Sequence, residues 1–388
     1  MTRRRRLALL LAPLLLFVSA CAADAPQDTM EPKGPIARSI DNLFNGVFLV
    51  AVVVFVFVEF GALYLALRFR RRRDDADDDD LPAQTHGNTK LEILWTLIPA
   101  VALGVVGLDT LVTLFDIDRR VEDALTVQVT GQQWFWEFTY DTDGDGDFGE
   151  EDVLTASDLV IPAGQDVNLR IRSNDVIHSF WIPSLNGKKD AVPGREHPLR
   201  LHADDPGTYV GQCTEYCGLS HAYMRQRVIA LAPDDFDAWL DDQVPEADAP
   251  TDPEAAAGAQ LFTTQCSGCH LARGINDAEF AEQGDGTELL VSGNAPDLTH
   301  FASRGVFAGG IFDLWVDLDG DDIVEADEIG EEFNRGALEA WLRNPPAEKP
   351  MDAPALPEPG GDKIRGMPNL NLPEDQIDQL VDFLETLE

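Results

Sequence analysis

The sequence predicts a multi-domain protein made of a hairpin of two transmembrane helices, an all-β domain and an all-α domain. Two apolar runs, at 43–67 and 91–115, are each long enough to cross a bilayer. Short segments of alternating apolar and polar residues follow over 121–244. Helical patterns begin and end the range 257–388. A length of 388 residues also favours more than one domain.

The charge of the chain excludes one class of partner. Lys and Arg number 29 and Asp and Glu number 69, which gives a formal net charge of -40. Such a chain repels phosphate backbones. We therefore expect no nucleic-acid partner.

Residues 1–20 have the pattern of a signal peptide. Arg3–Arg6 precede an apolar run, Leu7–Val18, which is too short to span a bilayer and which small residues follow. Cys21 comes next in a sequence that resembles a bacterial lipobox, so Cys21 is a candidate lipidation site. The alternative is an ordinary signal peptide in which this cysteine is incidental.

The transmembrane hairpin is predicted over 35–120. Each run has about 25 residues and covers the roughly 30 Å hydrocarbon core with some tilt. Arg68 and Arg70–Arg73 follow the first run, which places that end in the cytoplasm. The second run then returns the chain to the outside, so we expect everything after Asp116 to be periplasmic or extracellular. Two buried core helices are the alternative. Glu59 lies inside the first run and has no assigned role.

The alternating segments of 121–244 predict an antiparallel sandwich or barrel, since Gly, Pro, Asn and Asp separate them. Residues 245–256 have the Pro-, Ala- and acid-rich composition of a linker. Helices are predicted at 253–265 and 373–387, on either side of a loop-rich region.

A c-type haem attachment pattern follows the first of these helices, Cys266-Ser-Gly-Cys269-His270. In this pattern two thiols bond the haem vinyl groups and the adjacent imidazole becomes an axial ligand. A zinc or thiol redox site is the alternative. A second axial ligand could come from Met351 or Met367, which both lie downstream.

A second group of soft ligands lies in the all-β region. Cys213, Cys217, His221 and Met224 fall within twelve consecutive residues, and His178 lies upstream. Thiolates, a thioether and imidazoles select copper over hard cations. With one backbone carbonyl they are enough for two copper ions that share both sulfurs. A structural tetrahedral zinc is the alternative.

Two stretches of the chain resemble known families. The range 252–388 is similar to small class I cytochromes c, through Gly258–Phe262, the haem motif, Ala295-Pro296 and Met367-Pro368. The range 35–233 resembles subunit II of cytochrome c oxidase. That resemblance rests on 85–92, 131–136, 175–181, 188–195 and the cysteine loop. The whole chain thus resembles a cytochrome c-fused subunit II of a bacterial aa-type oxidase.

The resemblance implies a cupredoxin-like barrel that holds the binuclear copper centre CuA. The implied side-chain ligands are His178, Cys213, Cys217, His221 and Met224. Glu215 would contribute its backbone carbonyl to the copper centre, and its carboxylate would face a magnesium site shared with subunit I.

The resemblance also implies roles outside the copper centre. Met367 would be the second axial haem ligand, with Met351 as the alternative, and the carbonyl of Pro296 would orient His270. Trp134 matches a surface tryptophan that accepts electrons from cytochrome c. Glu92 matches the entrance of a proton pathway through subunit I, and an interfacial carboxylate is the alternative.

The implied function is that of subunit II of a haem–copper terminal oxidase. The chain would accept electrons at haem c from a cytochrome or other donor and pass them through CuA to subunit I. Dioxygen reduction and proton pumping would take place there, so the chain is an enzyme only as a subunit. A CuA subunit of a nitric oxide reductase and a copper-handling lipoprotein are the alternatives. The motif around Glu92 favours the oxidase, and covalent haem disfavours copper delivery.

Two acidic loops lie outside the resemblance. Asp141, Asp143, Asp145 and Asp152 stand at positions 1, 3, 5 and 12 of a calcium-loop pattern. A second loop, 317–328, repeats the pattern with Asp322 in place of the glycine. Calcium binding is one interpretation, and solvated acids of a very acidic chain are the other.

Overall fold

The computed structural model describes residues 26–70, 86–149, 152–278, 295–351 and 365–388. The predicted signal peptide, Cys21 and Arg71–Arg73 lie outside the described residues.

Two long helices lead the described chain, α1 (Pro35–Arg68) and α2 (Thr89–Ile117). Asn88 caps α2 by accepting a hydrogen bond from the backbone N–H of Leu91 at 3.3 Å. Within these two helices only Ile36 and Ala37 are buried. The apolar runs therefore have no protein cover, unlike core helices, and both helices are long and apolar enough to cross a membrane.

The middle region is built from two main sheets. One has the strand order β3-β2-β1-β5-β8 and the other β4-β10-β9, and β6 pairs with β7 separately. The strands are β1 (Thr126–Gln132), β2 (Phe135–Tyr140), β3 (Val153–Ala156), β4 (Asp158–Pro162), β5 (Val167–Ser173), β6 (His178–Phe180), β7 (Lys189–Ala191), β8 (His197–Leu201), β9 (Gly207–Gln212) and β10 (Arg225–Leu231).

The prediction of a purely antiparallel arrangement is wrong for two strand pairs. β1 pairs with β5 in parallel, and β10 pairs with β4 in parallel. The chain leaves the first sheet after β3 and adds β4 to the other sheet before it returns at β5. This crossover is long enough to bring β5 beside β1 in the same direction.

Strand β2 is buried along its whole length. Trp136, Phe138 and Tyr140 belong to the core of the sheet domain. The alternate residue Phe135 lines a cavity shared with the C-terminal region, and Glu137 interacts electrostatically with Asp297 and Arg304 of that region. Since successive side chains of a strand face opposite sides, the sheet domain covers one face and the C-terminal region covers the other.

Four helices and one hairpin form the described C-terminal region, after the short helix α3 (Pro233–Asp242). The helices are α4 (Pro253–Gln265), α5 (Arg335–Arg343), α6 (Pro345–Glu348) and α7 (Glu374–Leu384), and the hairpin joins β11 (Val306–Phe307) to β12 (Phe312–Asp313). Asp252 caps α4 by accepting hydrogen bonds from two backbone N–H groups. The prediction of an all-α domain therefore omits the hairpin.

Helices α4 and α7 cross at Gly258. A Cβ at this position would lie 1.9 Å from the carbonyl oxygen of Gln379, so only glycine permits the approach. The apolar face of α7 is buried as its periodicity predicts, through Ile377, Leu380, Phe383 and Leu384.

A buried ion pair joins the sheet domain to the C-terminal region. Arg227 binds Asp158 through two hydrogen bonds, at 2.8 and 3.0 Å. Arg227 also donates to the carbonyl of Val324 at 2.8 Å, and Asp158 accepts from the N–H of Gly305 at 2.7 Å. Both side chains are at most 5% exposed. The two parts of the chain therefore share the hydrogen bonds that satisfy this buried ion pair.

Replacing Arg227 with methionine tests this boundary. Arg227→Met leaves a buried carboxylate without its cation, which costs about 3–5 kcal/mol. We expect a clearly lower melting temperature for the full-length chain in detergent, measured by calorimetry. The control is Arg343→Met, which breaks an ion pair with Glu374 whose side chains are 46% and 67% exposed. Equal melting temperatures in the two variants would contradict the prediction.

Candidate metal centre and adjoining cavity

The soft ligands predicted from the sequence lie together at one end of the sheet domain. His178 begins β6, Cys213 directly follows β9, and Met224 directly precedes β10. Cys217 and His221 lie in the loop between β9 and β10, where His221 opens one 3₁₀ turn. Three strand ends thus position the cluster.

The distances within this cluster are short. Cys217 Sγ lies 3.8 Å from Cys213 Sγ, 3.6 Å from His221 Nδ1 and 3.8 Å from Met224 Sδ. The backbone carbonyl of Glu215 lies 3.3 Å from Cys213 Sγ. His178 also belongs to the group, since its ring nitrogen and the two sulfurs lie within 4.8 Å of one another. All six residues named for this centre are therefore brought together.

Asp175 fixes the orientation of His178. Its Oδ1 lies 2.9 Å from His178 Nε2, and its Oδ2 accepts a hydrogen bond from the N–H of Gln133 at 2.8 Å. The other ring nitrogen, His178 Nδ1, is buried and has no hydrogen-bond partner. The ring lies beside the two thiols. Burial opposes protonation of His178, yet Asp175 and Cys213 raise its pKa above the ordinary value.

The two thiols cannot both ionise easily without a cation. The hydrogen bond with Cys217 lowers the pKa of Cys213, and the same contact raises the pKa of Cys217. Two neighbouring thiolates repel each other, and a metal ion bound to both would offset that repulsion. The orphaned imidazole nitrogen, the paired thiols and the thioether make a donor set that suits a soft metal such as copper.

Trp134 connects the cluster to the C-terminal region. Its indole N–H donates to the carbonyl of Cys217 at 3.0 Å, and Gln133 donates to the same carbonyl at 2.7 Å. Trp134 is only 4% exposed. The expectation of a surface tryptophan is therefore wrong for this chain, because its own C-terminal region covers the residue.

A cavity of about 420 Å³ lies between the two parts of the chain. Cys266, Cys269 and His270 line it, together with Met367 and the tryptophan just described. His270 Nδ1 lies 2.8 Å from the carbonyl oxygen of Pro296, which leaves the other ring nitrogen available to a ligand. Burial lowers the pKa of His270 and so favours the neutral imidazole that binds metals.

Both candidate methionines reach this cavity. Met351 and Met367 line it, and the backbone N–H of Met367 lies 3.3 Å from Met351 Sδ. Met351 packs against the core of the sheet domain, whereas Met367 packs against the core of the C-terminal region. Met367 is thus the methionine that belongs to the same core as the Cys-x-x-Cys-His motif.

The remaining predicted carboxylate side chains are exposed. Glu92 is exposed in the first turn of α2, where its carboxylate also complements the helix dipole. Glu59 is exposed along α1, and Glu215 directs its side chain outward from the loop between β9 and β10.

The acidic loops hold clusters of carboxylates. Asp141, Asp143 and Asp145 lie within 4.8 Å of one another, but Asp152 accepts hydrogen bonds from the N–H groups of Thr142 and Gly149 instead. In the second loop, Asp317, Asp319 and Glu328 form a similar group. Calcium binding stays a prediction for both.

Sequence reasoning missed two residues beside these sites. Asp175 lies three positions before His178, and a carboxylate this close to a candidate ligand is a signal that it could orient the imidazole. Lys349 is 3% exposed and lines the cavity between the two parts of the chain. Nothing in its Pro-rich surroundings signals a buried lysine.

Comparisons with known proteins agree with this architecture. The family described as "Cytochrome C oxidase subunit II, periplasmic domain" matches residues 125–231, and the corresponding transmembrane domain matches 27–112. Cytochrome c oxidase subunit 2 of Alkalihalophilus pseudofirmus is 33% identical over 383 residues, which cover 96% of this chain and 94% of that protein. The chain belongs to the cytochrome c oxidase subunit 2 family.

Other members of the family are similar over shorter ranges. Subunit 2 of Bacillus sp. (strain PS3) is 31% identical and covers 82% of this chain and 80% of that protein. The crystal structure of the periplasmic domain of subunit II (CoxB) of Bradyrhizobium japonicum is 25% identical. It covers 33% of this chain and 96% of that one, with a TM-score of 0.29.

Membership in this family decides the coarse assignments. The matched periplasmic domain is the CuA-binding domain of subunit 2, and the cluster of His178, Cys213 and Cys217 offers a metal site in it. The two apolar helices make the chain an integral membrane protein with two spans. A subunit 2 works in a complex with subunit I and other oxidase subunits.

Asp175→Asn tests how the histidine ligand is oriented. We expect copper affinity to fall about 10- to 100-fold, the usual effect of losing a carboxylate that orients a metal-bound histidine. Competition with a copper chelator, applied to the purified chain, measures this affinity. Asp205→Asn changes an exposed carboxylate of the same domain and serves as the control. Equal affinities in both variants would show that Asp175 does not orient the ligand.

Proposed function

We propose that this chain is the electron-accepting subunit of a haem–copper oxidase and carries its own haem c. It takes electrons at the C-terminal cavity and passes them through a binuclear copper centre to subunit I, which reduces dioxygen and pumps protons. The observation that carries the proposal is the position of Trp134. This residue lines the cavity of the haem attachment motif and also donates to the carbonyl of Cys217 in the metal cluster.

The donor set favours a binuclear copper centre over structural zinc. A tetrahedral zinc needs four ligands, and the cluster offers six donors with two sulfurs 3.8 Å apart. The two thiolates would bind the copper ions together with the other four donors. The ligands are His178, Cys213, Glu215 through its carbonyl, Cys217, His221 and Met224.

The C-terminal cavity suits a covalently bound haem. Cys266 and Cys269 would form the two thioether bonds, and His270, oriented by Pro296, would bind the iron. Met367 would be the second axial ligand. When bound, haem c and CuA supply reversible one-electron redox chemistry. The chain itself would fix the positions of both groups.

The outer side of the copper loops suits contact with subunit I. Tyr216 is 75% exposed and Leu219 is 63% exposed, and Ile177 is 44% exposed beside His178. Large apolar side chains grouped on a surface mark interaction sites. Glu215, between these residues, would there contribute its carboxylate to a magnesium site at the subunit boundary.

The membrane topology sets the direction of the reaction. The sheet domain and the haem domain would lie on the periplasmic side, because Arg68 and Arg70 mark the cytoplasmic end of α1. Glu92, at the start of α2, would then face the cytoplasm, where protons for subunit I are taken up. A nitric oxide reductase subunit would share the copper centre but has no need of this residue.

Purification of the membrane complex tests the proposal. Metal analysis and an optical spectrum are expected to give two copper ions in this chain and one covalent haem c. Oxygen uptake with a reduced cytochrome as donor separates an oxidase from a nitric oxide reductase. A complex without covalent haem, or one that reduces nitric oxide but not dioxygen, would overturn it.

Cys217→Ser should remove both copper ions and leave the haem c spectrum intact. One sulfur of a shared pair is lost, while the haem ligands belong to the other domain. Copper content and the haem spectrum of the purified complex measure the two effects. Tyr223→Phe, in the same loop, is the control and should keep both copper ions and the haem spectrum. Two copper ions retained in the serine variant would refute a centre with shared thiolates.

Met367→Leu should lower the midpoint potential of the haem and open a coordination site, since loss of a methionine ligand leaves His270 alone. A redox titration and binding of carbon monoxide to the reduced haem measure the two changes. Met351→Leu is the matched control, because both methionines line the same cavity. If the Met351 variant shows these changes instead, the axial ligand is Met351.

A further inference from the structure

Lys349 is a buried amine between the two proposed redox centres. It directly follows α6 and is 3% exposed. Its Nζ donates to the backbone carbonyl of Trp134 at 2.7 Å and to that of Ala308 at 2.8 Å. No ion pair to a carboxylate accompanies it in the described parts of the chain. A lysine buried in this way is costly and rare.

The two carbonyls belong to different domains. Trp134 lies in the sheet domain, next to the loop that holds the copper ligands, and Ala308 lies in the hairpin of the C-terminal region. Trp134, Ala308 and Lys349 all line the haem cavity. The amine thus joins the wall of the cavity to the residue that contacts the metal cluster.

The surroundings leave the amine little freedom. The N–H of Lys349 donates to the carbonyl of Pro345 at 3.0 Å, and the hydroxyl of Ser220 donates to the carbonyl of Pro350. Gly309 packs against the hydrogen bond between Lys349 and Trp134. A Cβ at this position would lie 2.3 Å from Lys349 Nζ and 2.4 Å from the carbonyl oxygen of Trp134. Burial lowers the pKa of the amine to about 7. Both protonation states can donate the two hydrogen bonds.

We propose that Lys349 is a positioning residue for electron transfer from the haem domain to the copper domain. Its amine holds the backbone of Trp134 against the hairpin and so fixes the separation of the two centres. The inference rests on the proposed function. Electron transfer slows steeply when the separation of two centres grows, so the effect appears in that one step.

Lys349→Met in the purified oxidase complex tests the proposal, because methionine keeps most of the volume and removes the donor. Haem c is reduced by a flash from a ruthenium photoreductant, and the optical bands of haem c and copper are followed. We expect electron transfer from haem c to copper to slow by about tenfold or more, because misplacing two reacting groups by even a small distance lowers the rate strongly. The later step from copper to subunit I should keep its rate, which a general loss of structure would not allow.

Arg343→Met removes an exposed cation from the same domain and is the matched control, with an unchanged rate expected. If Lys349→Met does not assemble, Gly309→Ala forces the same contact apart and should slow the same step. A wild-type rate in an assembled variant overturns the proposal. Absence of covalent haem or of two copper ions from the wild-type complex would instead overturn the proposed function.

Discussion

The rest of the structure depends on the buried ion pair of Asp158 and Arg227. At this depth a charge pair is stable only when its remaining hydrogen-bonding groups are satisfied, and here the C-terminal region satisfies them through Gly305 and Val324. Any sliding of one domain over the other would leave buried donors and acceptors unpaired, at about 1–3 kcal/mol each. The two domains therefore pack in one relative position, and that position places Trp134 between the metal cluster and the cavity.

A second buried group of charges lies along the same boundary, where Arg304 also lines the cavity between the two parts of the chain. Burial raises the pKa of Glu137 to about 8, the charge of Asp297 adds to this, and the guanidinium of Arg304 opposes it. At neutral pH the carboxyl of Glu137 is therefore mostly protonated. A neutral carboxyl costs less to bury than a carboxylate, so protonation lowers the cost of burying Glu137 between the two parts of the chain.

The sequence predicted the features that are local along the chain. The two spans, the helix Pro253–Gln265 and the haem motif need only neighbouring residues, and the loop from Cys213 to Met224 carries most of the copper donors. What the sequence did not predict depends on distant contacts. The parallel pairs of β1 with β5 and of β4 with β10 follow from a crossover. The hydrogen bond of Lys349 to Trp134 joins residues 215 positions apart.

The same boundary, and not only the covalent link, holds the C-terminal region beside the sheet domain. A flexible linker alone would only raise the local concentration of the C-terminal region near the sheet domain. The segment 245–256 is bound rather than free, because the N–H of Ala247 donates to the carbonyl of Arg273 at 2.9 Å and the carbonyl of Pro245 lies 3.0 Å from a ring nitrogen of His300. In the proposed electron path the two centres therefore need no diffusive search. Their separation is set by hydrogen bonds across the boundary, and the length of the linker has no part in it.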